Sequence, residues 1–423
     1  MENDEERKHI LKNSIIFIVL MGLVSALSDF THEGAKSIYG NFLVLPEIGA
    51  NSFVVSLVSG LGELLGCGLI LVTGAIANKT KKYWLMTIIG YSIDIIVIPA
   101  LALTFKNGWI YACSLILLER IGRSIRKPAK STLVSFASKN AGEGKTFGWL
   151  EFLDQIGAFL GPLFLTFVLL TQQGKALYDS YRFCFLMLII PGILTLLLLF
   201  FAKFKFPHPE NFEEERVVTN DKEETTKEKS KAILSSKDFI FYIIAICLVA
   251  LGFIDFPLIE VYLQSIKVVD DNYLPLLYSL AMLSDAIAAL AFGYAYDKIK
   301  IWTLVIATIL SAAFPILIFS TTNFTLIIIG IILWGIGMGA EESILKSAVA
   351  TLVSKNNRSL GYGIFEGFFG LFWFFGSALF GYLYSANWNL FIYLSFGLQI
   401  LSLVFFVLSI KAKKNMDNIK VIK

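Results

Sequence analysis

Charge is scarce in this sequence. Only 16% of its 423 residues are Asp, Glu, Lys or Arg, against about 25% in a soluble globular chain. The net charge of +3 is too small to draw the chain to nucleic acid, so where each charge sits says more than their sum. Cysteine is rarer still. Cys67, Cys113, Cys184 and Cys247 lie far apart inside apolar runs, with no metal-ligand spacing and no disulfide framework, and are expected as inert buried thiols. The motifs of soluble and intramembrane enzymes are also missing. There is no P-loop, which excludes ATP-driven pumping by this chain alone. His32-Glu33 lacks a second histidine at zinc-protease spacing, because Lys36 stands there. Tyr296-Asp297 has no Gly-x-Gly-Asp partner, and Gly335-x-Gly337-x-Gly339 has no strand before it, so no nucleotide site is expected.

Apolar residues fill the space that charge leaves. They make up 56% of the chain, with 37 phenylalanines and a mean hydropathy of +0.70. A membrane span needs about 20 mainly apolar residues. Twelve such segments are predicted: 13–42, 52–77, 82–105, 109–131, 144–170 and 180–202, then 238–266, 272–297, 301–321, 324–352, 358–384 and 388–411. The polar start, MENDEERKH, leads into the first full-length span and reads as the lead into a retained helix, not a cleaved signal peptide. The one long polar stretch, 203–237, is nearly balanced in sign and poor in aromatics, as a flexible linker would be. The expected domains are therefore a bundle over 1–202, the linker 203–237 and a second bundle over 238–423.

The basic residues set the orientation. Lys79, Lys81, Lys82, Lys127, Lys130, Lys139, Lys145, Lys298, Lys300, Lys355, Arg358 and the KAKKN tail fall on one side, with the linker. The other side has only Lys106, Lys175, Arg182 and Lys267. The positive-inside rule predicts both termini and the linker in the cytoplasm, and the chain in the cell membrane.

The chain also repeats itself. Helix 2 ends in Gly74, Asn78 and Lys79, and helix 8 in Gly293, Asp297 and Lys298. Lys130-Ser131 is followed by Ser138-Lys139-Asn140, and Lys346-Ser347 by Ser354-Lys355-Asn356 at the same spacing. Gly148 and Gly157 in helix 5 match Gly361 and Gly370 in helix 11, and Asp29-Phe30 in helix 1 matches Asp255-Phe256 in helix 7. A duplicated six-helix unit follows, and two such units can expose a site to either side by rocking.

These residues resemble the major facilitator superfamily across nearly the whole chain. Its loop pattern G-x-x-x-D-R/K is met by Gly74 and Lys79 with Asn78 in place of the acid, and by Gly293, Asp297 and Lys298 with the acid kept. Its helix 5 antiporter signature, G-x8-G-x3-G-P-x2-G-G, is met by Gly148, Gly157, Gly161 and Pro162, with Leu165-Thr166 where the last glycines would be. Arg120, Arg123 and Arg126 are similar to the arginine-bearing fourth helix of family members. The resemblance implies an all-α integral membrane fold of two pseudo-symmetric six-helix bundles, a cavity lined by helices 1, 4, 7 and 10, and the 12-helix proton antiporter branch.

Ionisable groups inside spans are costly and mark function by default. Asp29, His32, Glu33 and Lys36 share one helical face, at i, i+3, i+4 and i+7. Asp29, Glu33 and Asp255, with Glu260 and Asp285, are the candidates for proton or substrate binding. At about 1.5 Å rise per residue, Arg120 reaches the depth of Asp154 and Arg123 that of Glu151, which predicts two ion pairs between helices 4 and 5; the rival reading has the arginines binding an anionic substrate. Aligning Lys130 with Lys346 sets Arg126 opposite Glu342, a candidate latch. With these pairs removed acids still outnumber bases, which favours a cationic substrate, protons, or both competing for the same carboxylates. The expected function is proton-coupled export of a small cationic or amphipathic compound by alternating access, without cofactor, metal or nucleotide. Proton-coupled uptake of a metabolite is the alternative, and a transporter-shaped sensor or an intramembrane enzyme the remote one.

Overall fold

Many large apolar side chains point outward in this protein, and several charged ones inward. Phe204 is 87% exposed and Ile96 68%, whereas Glu260 is wholly buried. In water such a surface would aggregate; in a bilayer it is the solvated face. The computed structural model describes residues 2–141, 143–212, 236–353 and 358–422, and among these the regular structure is entirely helical.

The first half of the chain holds α1 (Glu2–Leu43), α2 (Ser52–Thr80), α3 (Tyr83–Ala100), α4 (Trp109–Ala141), α5 (Glu143–Thr171), α6 (Leu177–Met187) and α7 (Ile189–Lys205). The second holds α8 (Lys237–Gly252), α9 (Phe256–Ile266), α10 (Leu274–Ile299), α11 (Trp302–Ala312), α12 (Phe314–Phe319), α13 (Phe324–Leu352), α14 (Arg358–Ala386) and α15 (Trp388–Ile422). Three of the twelve predicted spans are built from two helices each: α6 with α7, α8 with α9, and α11 with α12. Each interruption has a proline just beyond it, Pro191, Pro257 or Pro315, which accepts the first helical turn but cannot donate a backbone hydrogen bond back.

Among the described residues, eleven of these spans are long and apolar enough to cross a membrane. The exception is α4. Its first 18 residues already include Glu119, Arg120, Arg123 and Arg126, so its place in the bundle depends on partners for those charges. Part of the expected linker is ordered: 203–205 complete α7, and Pro209–Phe212 form a 3-10 turn. Phe212 packs at 5.9 Å from Phe17 and its carbonyl accepts from the Asn140 side chain at 2.8 Å. The remainder, 213–235, lies outside the described residues.

The contacts divide the chain into two units: Met1–Ala50, Gly68–Thr219 and Asn272–Ser279, and Asn51–Cys67, Asn220–Asp271 and Leu280–Lys423. The division follows chain order except at the starts of helices α2 and α10, which are equivalent segments under the sequence repeat. In the first unit α1 packs on α5 and α7, and α3 on α4. In the second, α8 packs on α14 and α15, and α11 on α13. The same neighbours recur in repeat register. The first core gathers Phe17, Met21, Tyr91, Leu133, Leu150 and Leu199; the second gathers Tyr242, Ile246, Leu304, Ile344, Phe365 and Phe406.

The repeat also reaches the backbone. Lys81 closes α2 at φ 56°, and Lys300 closes α10 at φ 52°. Each sits three residues after its motif residue, Asn78 or Asp297, and returns its N–H to the carbonyl four residues back, Ala77 at 2.8 Å and Tyr296 at 2.9 Å. This left-handed cap ends a helix and satisfies a carbonyl at its end. In the first copy Lys81 Nζ also donates to Asn78 Oδ1 at 2.7 Å.

Candidate functional site: the charged interior

Two glycines set the first unit's interior. A Cβ at Gly157 would collide with the Ala26 carbonyl, and one at Gly161 with the Phe30 carbonyl, so α5 lies directly on the α1 backbone. Small residues permit this approach where no hydrophobic force drives helices together. Gly148, in contrast, meets nothing within 4 Å. With one face of α1 against α5, Asp29, His32 and Glu33 are reached by α4. A second close crossing joins α3 and α4, where a Cβ at Gly90 would stand 2.6 Å from the Gly122 carbonyl.

The charges then pair across α1, α3, α4 and α5. Arg123 reaches Asp29 Oδ1 at 3.4 Å and Glu33 Oε1 at 3.9 Å. Lys36 lies 3.5 Å from Glu33 Oε2, which also accepts from the Tyr278 hydroxyl at 2.5 Å. Arg126 Nε stands 3.0 Å from Asp94 Oδ2, and its guanidinium covers the Tyr91 ring at 4.3 Å. Lys130 lies 3.6 Å from Asp154 Oδ2 and also donates to the Ser25 hydroxyl. His32 Nδ1 is 2.7 Å from Glu119 Oε1, whose other oxygen is 3.8 Å from Arg120 Nε.

This corrects the predicted pairing. Asp154 goes to Lys130 and not to Arg120, and Arg123 goes to α1 and not to Glu151. Depth along a helix predicts which groups lie at one level, but rotation decides which meet, and α4 touches α5 far less than α1 does. Arg126, expected to face Glu342, is held within its own unit by Asp94. Glu342 lies on α13, and its side chain is outside the described residues.

Between α1, α4 and α5 is a cavity of about 200 Å³. Its α4 wall is basic, with Arg123, Arg126, Lys127 and Lys130. The facing walls carry Asp29, Glu151 and Asp154. Such a space accepts a small ligand with charges of both signs, or a few waters.

In the second unit a carboxylate stands at a helix break. Residues 253–255 break the helix between α8 and α9, and Asp255 occupies the N-cap of α9. Its Oδ1 accepts from Trp373 Nε1 at 2.6 Å and its Oδ2 from the Ser377 hydroxyl at 2.5 Å. The carbonyls freed by the break are also served: Trp334 Nε1 donates to Ile254 at 2.9 Å, and the Ser395 hydroxyl to Gly252 at 2.6 Å. A broken membrane helix persists only where protein re-satisfies its backbone in this way. Phe253 packs tilted and Phe256 edge-on against Trp334, with ring centroids 5.7 and 5.0 Å away. Trp334 and Trp373 thus hold the break and its carboxylate. Glu260 is fully buried on α9, and Asp285 on α10 lies against Gly339 of α13.

Comparison with known proteins agrees with this architecture. The profile of the Major Facilitator Superfamily matches residues 256–421. A Mycobacterium tuberculosis protein, the uncharacterized protein Rv2265, is 34% identical over 92% of this chain and 91% of its own length. The uncharacterized MFS-type transporter MJ1317 of Methanocaldococcus jannaschii is 29% identical over 50% of this chain and 49% of its own length. The chain belongs to the major facilitator superfamily. Among solved structures, the nucleoside transporter NupG superposes with a TM-score of 0.69 at 14% identity, covering 94% of this chain and 99% of its own. A bacterial homolog of the human lysosomal transporter Spinster superposes at 0.67 and 14% identity, covering 95% and 96%. At that identity the fold is what is shared. It is the fold of a multi-pass membrane transporter of two pseudo-symmetric six-helix bundles.

Within this superfamily transporter, sequence reasoning singled out Asp29, Glu33, Arg123, Arg126, Asp154 and Asp255, all of which the structure places in charged or hydrogen-bonded clusters. It counted Asp94 and Glu119 among the ionisable groups inside spans without giving either a partner, gave Lys130 none, and did not single out Tyr278. Asp94 had a signal: an acid in the middle of an apolar span implies a cation at its level, and Arg126 is that cation. Tyr278 carried none, since a tyrosine in an apolar helix is ordinary.

Proposed function

We propose that this superfamily member is a proton-coupled exporter of a small compound bearing a cationic group, working by alternating access in the cell membrane. Both termini and the 203–237 segment lie in the cytoplasm in this reading, on the strength of the Lys and Arg distribution. The observation that carries it is Asp255. A buried carboxylate at a helix break, held by the neutral donors Trp373 and Ser377, can take a proton or meet a cation while those donors keep it in place. Asp29, at the matching position of the first half, faces Arg123. Export is supported by the α5 spacing of Gly148, Gly157, Gly161 and Pro162.

The test uses everted membrane vesicles with a respiration-driven proton gradient reported by a pH-sensitive dye. Organic cations, then neutral solutes and anions, are added to wild type, Asp29→Asn and Asp255→Asn. Proton release on adding a cation, lost in Asp255→Asn, is the expected outcome. A response to anions alone would overturn the cationic reading. The basic α4 wall facing Asp29, Glu151 and Asp154 favours a second reading, a zwitterionic compound, and zwitterions belong in the same panel.

A further inference from the structure

His32 is held between two carboxylates that no part of the function above has used together. Its Nδ1 lies 2.7 Å from Glu119 Oε1 on α4, and its Nε2 lies 3.5 Å from Glu33 Oε1 on α1. The far oxygen of Glu33 accepts from Tyr278 at 2.5 Å. His32 and Glu119 are each 4% exposed. The chain Glu119–His32–Glu33–Tyr278 thus links α4, α1 and the start of α10 within one unit. Beside its Glu119 end is a cavity of about 10 Å³, lined by His32, Tyr39, Val97, Leu101, Ile116 and Glu119, close to the space one water needs.

We propose that His32 relays protons between Glu119 and Glu33. The proton of a Glu119 carboxyl passes to Nδ1 as the Nε2 proton passes to Glu33, leaving Glu119 ionised, Glu33 protonated and the ring neutral in its other tautomer. The ring resets when a proton travels back or when it turns over. An imidazole suits this because one nitrogen accepts while the other donates. The 3.5 Å gap to Glu33 is longer than a formed hydrogen bond, and Glu119 Oε1, though 2.7 Å from Nδ1, is not aligned for one; a tilt of the ring brings both into line.

The surrounding charges position the relay. Arg120 lies 3.8 Å from Glu119, Arg123 lies 3.9 Å from Glu33 and Lys36 lies 3.5 Å from Glu33. Asp29 shares the α1 face and binds Arg123. Val97 of α3 and Leu101, just past its end, line the cavity beside the ring, while Asp94 faces Arg126. On α5, Asp154 faces Lys130, and Gly157 and Gly161 meet the opposite side of α1. Arg123 joins Asp29 to Glu33, so a proton arriving at Glu33 would loosen the grip on Arg123 and release it toward Asp29.

The proposal rests on proton coupling, but its first test does not. The chain has three histidines, and His9 and His208 are exposed. The variant His9→Gln/His208→Gln leaves His32 as the sole reporter for 15N-histidine NMR in liposomes. A relay populates both ring tautomers, and Glu119→Gln should leave one. A single tautomer that is indifferent to Glu119→Gln would overturn the relay. The second test compares flux driven by a pH gradient with gradient-free exchange, using ethidium as probe. His32→Gln should lose driven flux by about 100-fold and keep exchange within about twofold. Equal loss of both would reduce His32 to a structural role. If wild type ignores the proton gradient, the proton-coupled function fails, and the NMR result still decides the relay.

Discussion

Asp29 and Asp255 open the same Asp-Phe pair in the two halves of the chain, yet one faces a guanidinium and the other an indole and a hydroxyl. The difference sets what substitution should do. Ser377→Ala leaves a buried carboxylate oxygen short of a donor and should cost about 1–3 kcal/mol, read as a lowered Tm in detergent. Arg126→Ala strands Asp94 and should cost about 3–5 kcal/mol, while the Arg126→Ala/Asp94→Ala double variant should cost less than the sum. Strict additivity in that cycle would show that the pair contributes nothing. That charges such as Arg123 and Asp154 must find partners was legible in the sequence, because the bilayer makes solitary charge expensive. Which partner each finds was not. Rise per residue sets the depth of Arg120 and Asp154, but the turn of each helix about its axis is set by packing, and here by the two glycines that hold α1 against α5.

At the scale of elements, α5 gives the sharpest contrast. Gly148, Gly157 and Gly161 all belong to one sequence signature, but only the last two press on a backbone carbonyl. Gly148→Ala should be neutral or stabilise α5 by up to about 1 kcal/mol, whereas Gly157→Ala or Gly161→Ala must push α1 away and lower Tm. Both Ala variants should also weaken transport, since the Ala26–Gly34 stretch of α1 carries Asp29, His32 and Glu33. If all three behave alike, the close approach is not what the signature provides. Helix breaks were less legible than helices. Pro191, Pro257 and Pro315 stand just past the three breaks, but a single apolar run reads as one span whether or not the helix inside it is continuous. The break at 253–255 follows from the surroundings of Gly252 and Ile254, whose carbonyls are served by Ser395 and Trp334 from distant parts of the chain.

At the scale of the whole molecule, twelve spans, their duplication and the family could be read from hydropathy and spaced motifs, because each depends on local sequence alone. The left-handed Lys81 and Lys300 show how far the duplication extends: related turns keep related backbones although Asn78 and Asp297 differ. Lysine is poorly suited to that conformation, so Lys81→Gly and Lys300→Gly should each stabilise by roughly 0.5–1 kcal/mol. Equal gains at both positions would show that the two caps are energetically equivalent, and a loss at either would reveal a role for that lysine side chain.

The inward-facing charges of α4 have a consequence for how the protein is made. Glu119, Arg120, Arg123 and Arg126 occupy what must become the middle of a membrane helix, and each charged residue there opposes insertion by about 2.5–3.5 kcal/mol. Four of them exceed what the apolar remainder of that segment can offset, so α4 should not partition into the bilayer as it leaves the ribosome. It has to wait for α3, whose Asp94 meets Arg126, and for α1, whose Asp29 and Glu33 meet Arg123. In a translocon reporter, the α4 segment alone should be rejected, and inclusion of α1 to α3 ahead of it should raise its insertion, with part of the gain removed by Asp94→Ala. The ion pairs that furnish the interior would then also be the signals by which the newly made helices recognise one another.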